Sequence, residues 1–335
     1  MSLVEHIEVS YRPCGASCSQ GTSSAHCKVS CYGSKLLINF IKKFMQHLRF
    51  FLRNGFTNSF LKMVQSRRFH VEILKGLEHE GTSITDGDYT KSWPSFAHQA
   101  HTNTQIFKKF RRSHVLIEAL DHVSLEDAKK YLIEIEKMSN FRPEFKEALK
   151  QLDSIGKPMK FWMRPYGLFS STSIRYLKVY LDLNLLFGSL DSFRIVEIGV
   201  GFGGQAQIIS NLSNPSTYTL LDLPPVLELS KKILNVNSIG KKFDYLDGRN
   251  PVEINSDLVI SNYAFSELNK VTQNLYLERV LLNAKRGYVT WNNLSEKQLG
   301  GFSLAELARE IPNSQILPEA PLTYPGNCIV WWKNT

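Results

Sequence analysis

Two acids flanking a glycine turn are the residues of this 335-residue chain best placed to do chemistry. Glu197 lies in the β-branched run Ile195-Val-Glu-Ile198, two residues before Gly199. Gly201, Gly203 and Gly204 follow, and Gln205 to Leu212 then reads as a helix. A strand, a glycine turn and a helix bring bare backbone close to a nucleotide-like ligand. A Cβ in such a turn would block the ligand or forbid the positive φ values. Asp222, twenty-three residues after Gly199, ends a second apolar run, Tyr218-Thr-Leu-Leu. An acid in that place accepts hydrogen bonds from a ribose diol. A carboxylate at Glu197 attracts an amino group and repels a pyrophosphate. The simpler reading of Glu197 is that it caps the helix that follows.

An amine-facing acid and a ribose-facing acid describe S-adenosylmethionine better than NAD. Gly199, Gly201 and Gly204 do satisfy the dinucleotide pattern G-x-G-x-x-G, but a lone match of that kind is weak. Two further strand ends carry polar residues. Tyr245-Leu-Asp-Gly248 places Asp247 where it would reach an adenine amino group. Ser261-Asn-Tyr-Ala-Phe-Ser-Glu-Leu268 offers Asn262, Tyr263 and Glu267.

These residues need a scaffold, and the C-terminal half alternates as one. Strands are predicted near 194–198, 217–221, 243–246, 257–261, 286–291, 314–317 and 327–332. Helices are predicted near 204–212, 225–234, 270–283 and 303–310. The fold class is therefore α/β, a mostly parallel seven-stranded Rossmann-like sheet, with ligands beyond the carboxyl ends of its strands. Residues 57–165 read as mostly helical, with 83–90 a loop, Leu125 to Lys137 a helix and Ser124 its N-cap. A helix opens at Phe169-Ser-Ser-Thr-Ser and runs to about Leu186. The domains predicted are a disordered leader (1–33), a helical cover over the acceptor site (34–165) and the ligand-binding domain (166–335).

Several segments together resemble the sugar O-methyltransferase family of class I S-adenosylmethionine enzymes. They are Ile195 to Gln205, Tyr218-Thr-Leu-Leu-Asp-Leu-Pro-Pro225, Ile260 to Leu268 and Arg286-Gly-Tyr288. The resemblance extends to Ser173–Gly188, Pro318-Glu-Ala-Pro321 and Gly326-Asn-Cys-Ile-Val-Trp331. Val200 and Pro225 depart from the family pattern, where a glycine and an acid are expected. The resemblance implies transfer of a methyl group to a sugar hydroxyl in surface or exported polysaccharide synthesis. It implies cofactor contacts at Glu197, Gly199, Gly201, Gly203, Gln205, Asp222, Leu223, Asp247, Asn262 and Tyr263. A sugar hydroxyl is a very weak acid, so a base or a metal is expected. Glu267 is the best-placed carboxylate for a base, or else a support bonding backbone or Asn262. Asn292 and Asn293 suit sugar hydroxyls, completion of a Mg2+ site, or an ordinary polar loop. Tyr324 and Asn327 stand where they would close the acceptor pocket or pack as loop residues. His98, His101 and His114 read as surface histidines.

Charge and composition narrow the partners. Lys+Arg 40 against Asp+Glu 31 gives +9, and the excess falls in residues 1–115, with 16 basic and 7 acidic residues. The rest is balanced at 24 to 24, which does not suggest a nucleic-acid enzyme. Residues 35–53 form a basic amphipathic helix, suited either to its own domain or to the surface of an anionic membrane. Lys108-Lys-Phe-Arg-Arg112 reads as a solvated face. No apolar run reaches the roughly 18 residues of a span. The chain start lacks the pattern of a secretory signal, which predicts a cytoplasmic protein, peripheral to the inner membrane face if the basic helix docks there. Cys14, Cys18, Cys27 and Cys31, with His26, sit among Ser, Gly and Thr. Their spacing is looser than usual zinc pairs, so a leader is the better reading. Cys328 reads as a small core residue. The rival functions are a nicotinamide oxidoreductase on a similar sheet and a binding protein that keeps the fold without turnover.

Overall fold

The computed structural model describes residues 93–120, 123–237, 243–293 and 300–334. The cysteine-containing leader, the amphipathic segment 35–53 and the loop 83–90 lie outside these residues. Five helices come first: α1 (Trp93–Thr102), α2 (Thr104–Phe107), α3 (His114–Ala119), α4 (Leu125–Met138) and α5 (Pro143–Leu152). A short hairpin follows, β1 (Phe161–Met163) with β2 (Gly167–Phe169), and then the long α6 (Ser171–Phe187). The remainder runs β3 (Arg194–Ile198), α7 (Gly204–Leu212), β4 (Thr217–Asp222), α8 (Pro224–Asn237), β5 (Phe243–Asp247) and β6 (Leu258–Asn262). It closes with α9 (Lys270–Tyr276), β7 (Arg286–Trp291), α10 (Leu304–Glu310), β8 (Gln315–Pro318) and β9 (Cys328–Lys333).

The helix starts follow local chemistry. Ser124 accepts from the Asp127 amide and Ser170 from the Ser173 amide. Ser303 and Glu306 form a reciprocal capping box on α10. At the other end of α6, Gly188 takes φ +81° and ψ −157°, a conformation essentially confined to glycine. The predicted helix 270–283 is instead α9 followed by an i→i+5 turn over Leu277–Leu281, closed by Leu282 N–H to the Leu277 carbonyl. The β1–β2 hairpin is a correction to the predicted helical stretch. Pro165 lies in its turn, where it cannot continue a helix, and the Tyr166 amide closes onto Met163.

The seven-stranded sheet has the order β5-β4-β3-β6-β7-β9-β8. Neighbours from β5 to β7 are parallel, and β9 is antiparallel to both β7 and β8. This is the mostly parallel α/β Rossmann-like sheet expected from the sequence. The order reverses at β3, whose neighbours are β4 and β6, so the ligand crevice lies above the end of β3.

Alternation along the strands sorts side chains onto two faces. Ile195, Leu220, Leu258 and Tyr288 join one buried cluster, together with α6 and the helices before it. Val196, Leu221, Val259 and Val289 join the other. The same parity carries Glu197, Asp222, Asp247, Asn262 and Thr290 to the first face, at or near the carboxyl end of each strand. Ala97, Leu116, Ile135 and Phe145 of the early helices belong to that first cluster as well, so helices and sheet share one core.

One expectation fails here for a clear reason. Within Lys108–Arg112, Phe110 and Arg111 are buried rather than solvated. Arg111 Nη1 meets Asp153 Oδ1 at 3.2 Å, and Arg111 Nη2 donates to Ser170 Oγ at 2.9 Å. Asp153 also accepts from the Ser170 amide and the Ser173 hydroxyl. A basic run counts as a solvated face only until a distant acid draws one member inward.

Candidate active site

The glycine turn is built as its spacing requires. Gly199, Gly201 and Gly203 have φ values of +73°, +56° and +85°. A Cβ on Gly199 would lie 2.0 Å from the Ala264 Cβ, and one on Gly204 would lie 2.4 Å from the Tyr176 ring. The first glycine therefore lets the turn approach the end of β6, and the last lets α7 seat against α6. Gly203 caps α7 through backbone alone. The helix-cap reading of Glu197 is thus set aside.

Glu197 is buried and accepts the Tyr218 hydroxyl at 2.7 Å. Burial pushes its pKa up to about 8; Tyr218 pulls it down, and the nearby Asp222 adds to the rise. None of these influences is a cation. Asp222 is raised to about 6 by burial, against the pull of backbone amides. Its Oδ2 accepts from Gly201 N–H at 3.2 Å and its Oδ1 from Leu223 N–H at 2.7 Å. The Val200 amide acts on it as well, so of about four acceptor positions on a carboxylate Asp222 keeps roughly one for a ribose hydroxyl. Leu223 is buried and presents its amide to Asp222. Asp247 is held by Arg249, whose Nε lies 3.0 Å from both carboxylate oxygens. Gln205 turns toward α6, donating to the Tyr176 carbonyl at 3.2 Å, and its Oε1 has no partner.

The raised acid gives a stability test. Between the ordinary carboxylate range near pH 4.5 and about pH 8, folded Glu197 holds a proton that the unfolded chain has lost. Its contribution is therefore complete below that range and is lost as pH rises through about 8. In urea unfolding at pH 5.5 and 8.5, Glu197→Gln is expected to lose less stability between the two pH values than the parent chain. An equal loss in both would mean that Glu197 does not retain its proton in the fold.

Beyond β6 the chain carries Tyr263 at φ +69°, a costly value for a tyrosine. Its hydroxyl donates to Glu319. Asn262 Oδ1 lies 3.4 Å from the Thr290 hydroxyl, and Asn262 Nδ2 is buried without a partner. These residues line a small cleft together with Tyr131, Arg175, Lys178 and Glu319. Glu267, Asn292 and Asn293 form a neighbouring network and do not line that cleft. Glu267 Oε1 accepts from Asn292 Nδ2 at 3.0 Å, and burial raises its pKa against that bond. Ser266 Oγ accepts from the Asn292 amide and donates to the Tyr263 carbonyl, linking the network to the cleft wall. Asn293 is exposed, with its amide on Asn327 Oδ1 at 2.9 Å and its Nδ2 on the Pro325 carbonyl at 3.3 Å.

Other expectations distribute more simply. Asn327 is buried and bonds Thr323, while Tyr324 is exposed; neither lines the cleft. His98 and His114 are exposed, and His101 is half-buried beside Glu228 at 3.9 Å. Cys328 is buried, with its thiol raised to about 11 by burial. Among the described residues, no group of three or more His, Cys, Asp and Glu could hold a metal ion. No such group lies around Asn292 and Asn293, so the Mg2+ expected there has no support among the described residues. No helix of the described residues is long and apolar enough to cross a membrane.

No protein-family model matches the chain, and no curated protein does. Among solved structures, the chain is similar to a magnesium protoporphyrin IX methyltransferase from Synechocystis with bound SAM. That alignment has 11% identity, covers 62% of this chain and 97% of the other, and has a TM-score of 0.39. It is also similar to a putative S-adenosyl-L-methionine-dependent methyltransferase from Methanococcus maripaludis, at 16% identity over 59% and 96% of the two chains, TM-score 0.39. A SAM-dependent methyltransferase from Aquifex aeolicus aligns at 12% identity over 48% and 96%, TM-score 0.36.

Arg175, Lys178, Tyr131 and Glu319 were not singled out by sequence reasoning. A signal for two of them was present. The segment Ile174-Arg-Tyr-Leu-Lys-Val-Tyr-Leu-Asp-Leu183 is apolar except for Arg175, Lys178 and Asp182. Charges confined to one stripe of an otherwise buried helix mark either an internal ion pair or a ligand.

Proposed function

We propose that the chain is an S-adenosylmethionine-dependent O-methyltransferase acting on a sugar hydroxyl in surface polysaccharide or glycan synthesis. One observation carries the cofactor assignment. Two raised carboxylates, Glu197 and Asp222, stand on one face of adjacent strands beside three left-handed glycines, and no cation acts on either. A pyrophosphate would meet two acids there. A ligand with an ammonium group and a ribose diol would meet a partner for each. Glu197, which holds its proton in the fold alone, would release it when an ammonium group supplies the counter-charge, and the acceptor position left on Asp222 fits a ribose hydroxyl. The sugar assignment is supported by the sequence resemblance alone.

When bound, the cofactor supplies a methyl group already activated by its sulfonium. The protein then has two tasks. The glycine turn, Glu197 and Asp222 fix the donor, and the cleft beyond β6 fixes the acceptor oxygen in line with it. Glu267 lies in the network behind the cleft wall, so its role as the base for the hydroxyl proton requires the acceptor hydroxyl to reach past Tyr263 and Ser266 toward it; burial raises its pKa in the direction useful for a general base.

Titration with S-adenosylhomocysteine and with NAD tests the cofactor. S-adenosylhomocysteine is expected to bind and NAD is not. Asp222→Ala removes a charge-assisted bond to the ribose, an effect of about 1.5–3 kcal/mol, so the affinity should fall at least about tenfold. Unchanged affinity in a folded variant would remove the ribose assignment.

A further inference from the structure

The cleft beyond β6 and β7 holds one orphaned amide donor and one buried cation that no carboxylate among the described residues pairs with. Arg175 lines it from α6 and is only 8% exposed. Its guanidinium lies 5.4 Å from the ring centre of Tyr176 and 5.8 Å from that of Tyr263, and Nη2 makes one long bond, 3.4 Å, to the Leu120 carbonyl. Burial works against its charge, and the groups that act on it besides are tyrosines, Tyr176, Tyr131 and Tyr263, with Tyr176 also taking a side-chain hydrogen bond from it. Among the described residues no carboxylate forms an ion pair with it. Glu319, the acid that shares the cleft, is taken by the Tyr263 hydroxyl and by the amide and hydroxyl of Thr323. Lys178, one turn further along α6, is matched by Asp182 at 2.7 Å, so that pair is balanced. From the strand side, Asn262 Nδ2 is buried in the same cleft and has no partner.

A buried cation without a counter-charge is costly, and so is an orphaned amide donor. Both costs fall on one cleft, and both are relieved by the same kind of ligand group. A guanidinium presents parallel N–H groups that match the two oxygens of a carboxylate or phosphate. We propose that the acceptor is an anionic sugar, and that Arg175 and Asn262 hold its carboxylate or phosphate group in the cleft. This deepens the O-methyltransferase reading and rests on it for the identity of the ligand as an acceptor. Charge at that position would also orient the sugar, since a forked contact fixes direction as well as distance.

The full chain, saturated with S-adenosylhomocysteine, is titrated with glucuronate, glucose 6-phosphate and glucose, and binding is followed by ligand-observed NMR. At least one anionic sugar is expected to bind about tenfold or more tightly than glucose. Which of the two it is separates a carboxylate from a phosphate. In Arg175→Met that preference should shrink by about tenfold or more, and Arg175→Lys should fall between, keeping the charge without the fork. Glucose binding as tightly as both anionic sugars would overturn the proposal. So would an unchanged preference in Arg175→Met. If that variant does not fold, the wild-type preference and Arg175→Lys still decide the matter. The cofactor reading fails separately, by absence of S-adenosylhomocysteine binding to the wild-type chain, and an anion preference would survive that failure.

Discussion

Glu267→Gln is expected to lower methyl transfer about 100-fold or more while S-adenosylhomocysteine affinity stays within about twofold. The amide keeps the shape of the side chain and loses the ability to take the hydroxyl proton. Asn292 would still have an oxygen to donate to, so its 3.0 Å contact with the carboxylate has a near-equivalent in the variant. The measurement is transfer of a labelled methyl group under single-turnover conditions, with the cofactor titration run alongside. The raised pKa also fixes a direction for pH. Transfer should fall as the medium becomes acidic enough to protonate Glu267, and it should do so at a higher pH than an exposed glutamate would give. Near-normal turnover in Glu267→Gln would leave it a support for Asn292. Glu319, which lines the cleft and accepts the Tyr263 hydroxyl, would then be the carboxylate to replace next.

Asp153→Ala is expected to destabilise the fold by about 3–5 kcal/mol, the usual effect of leaving a buried charge without its partner. Arg111 and Asp153 have side chains that are 0% and 1% exposed, so little solvent would screen the orphaned guanidinium. The lost acid also anchors the Ser170 amide and the Ser173 hydroxyl, at 2.6 and 2.7 Å. Those bonds hold the first turn of α6, the helix that carries Arg175 and Lys178 toward the cleft. Urea unfolding of the variant gives the magnitude. The double variant Arg111→Met with Asp153→Leu should recover part of the loss, because apolar replacements of both partners leave no buried charge behind. A cost below about 1 kcal/mol for the single variant would show that water reaches Arg111 in solution.

The sheet was legible in the sequence because a parallel sheet is written locally. The central strands β3, β4, β6 and β7 are buried along most of their length, so each reads as a short apolar run, and the acids at the ends of β3, β4 and β5 punctuate the pattern. All seven strands fall within one or two residues of the predicted spans. The glycine turn was legible for a related reason: three positive φ values within five residues leave few alternatives to glycine. The strand parity that places Glu197, Asp222, Asp247 and Asn262 on one face also follows from position alone once the strands are known. The hairpin at 161–169 was not legible, because three-residue strands are too short to show a period of two.

What the sequence by itself determined was therefore the scaffold and the placing of the glycine turn and the acids at the strand ends, where spacing along the chain dictates both backbone shape and side-chain direction. Only the tertiary structure decided where charges are compensated. Arg111 looked solvated beside Lys108, Lys109 and Arg112, and it is buried because Asp153, 42 residues on, neutralises it. Arg175 and Lys178 sit three residues apart on one helix, yet among the described residues only Lys178 has a carboxylate partner. The cleft beyond β6 gathers residues from Tyr131 to Ile329. Hydrophobic periodicity is a local property of the chain. The balance of a buried charge depends on every group folded against it, and that is set only when distant segments meet.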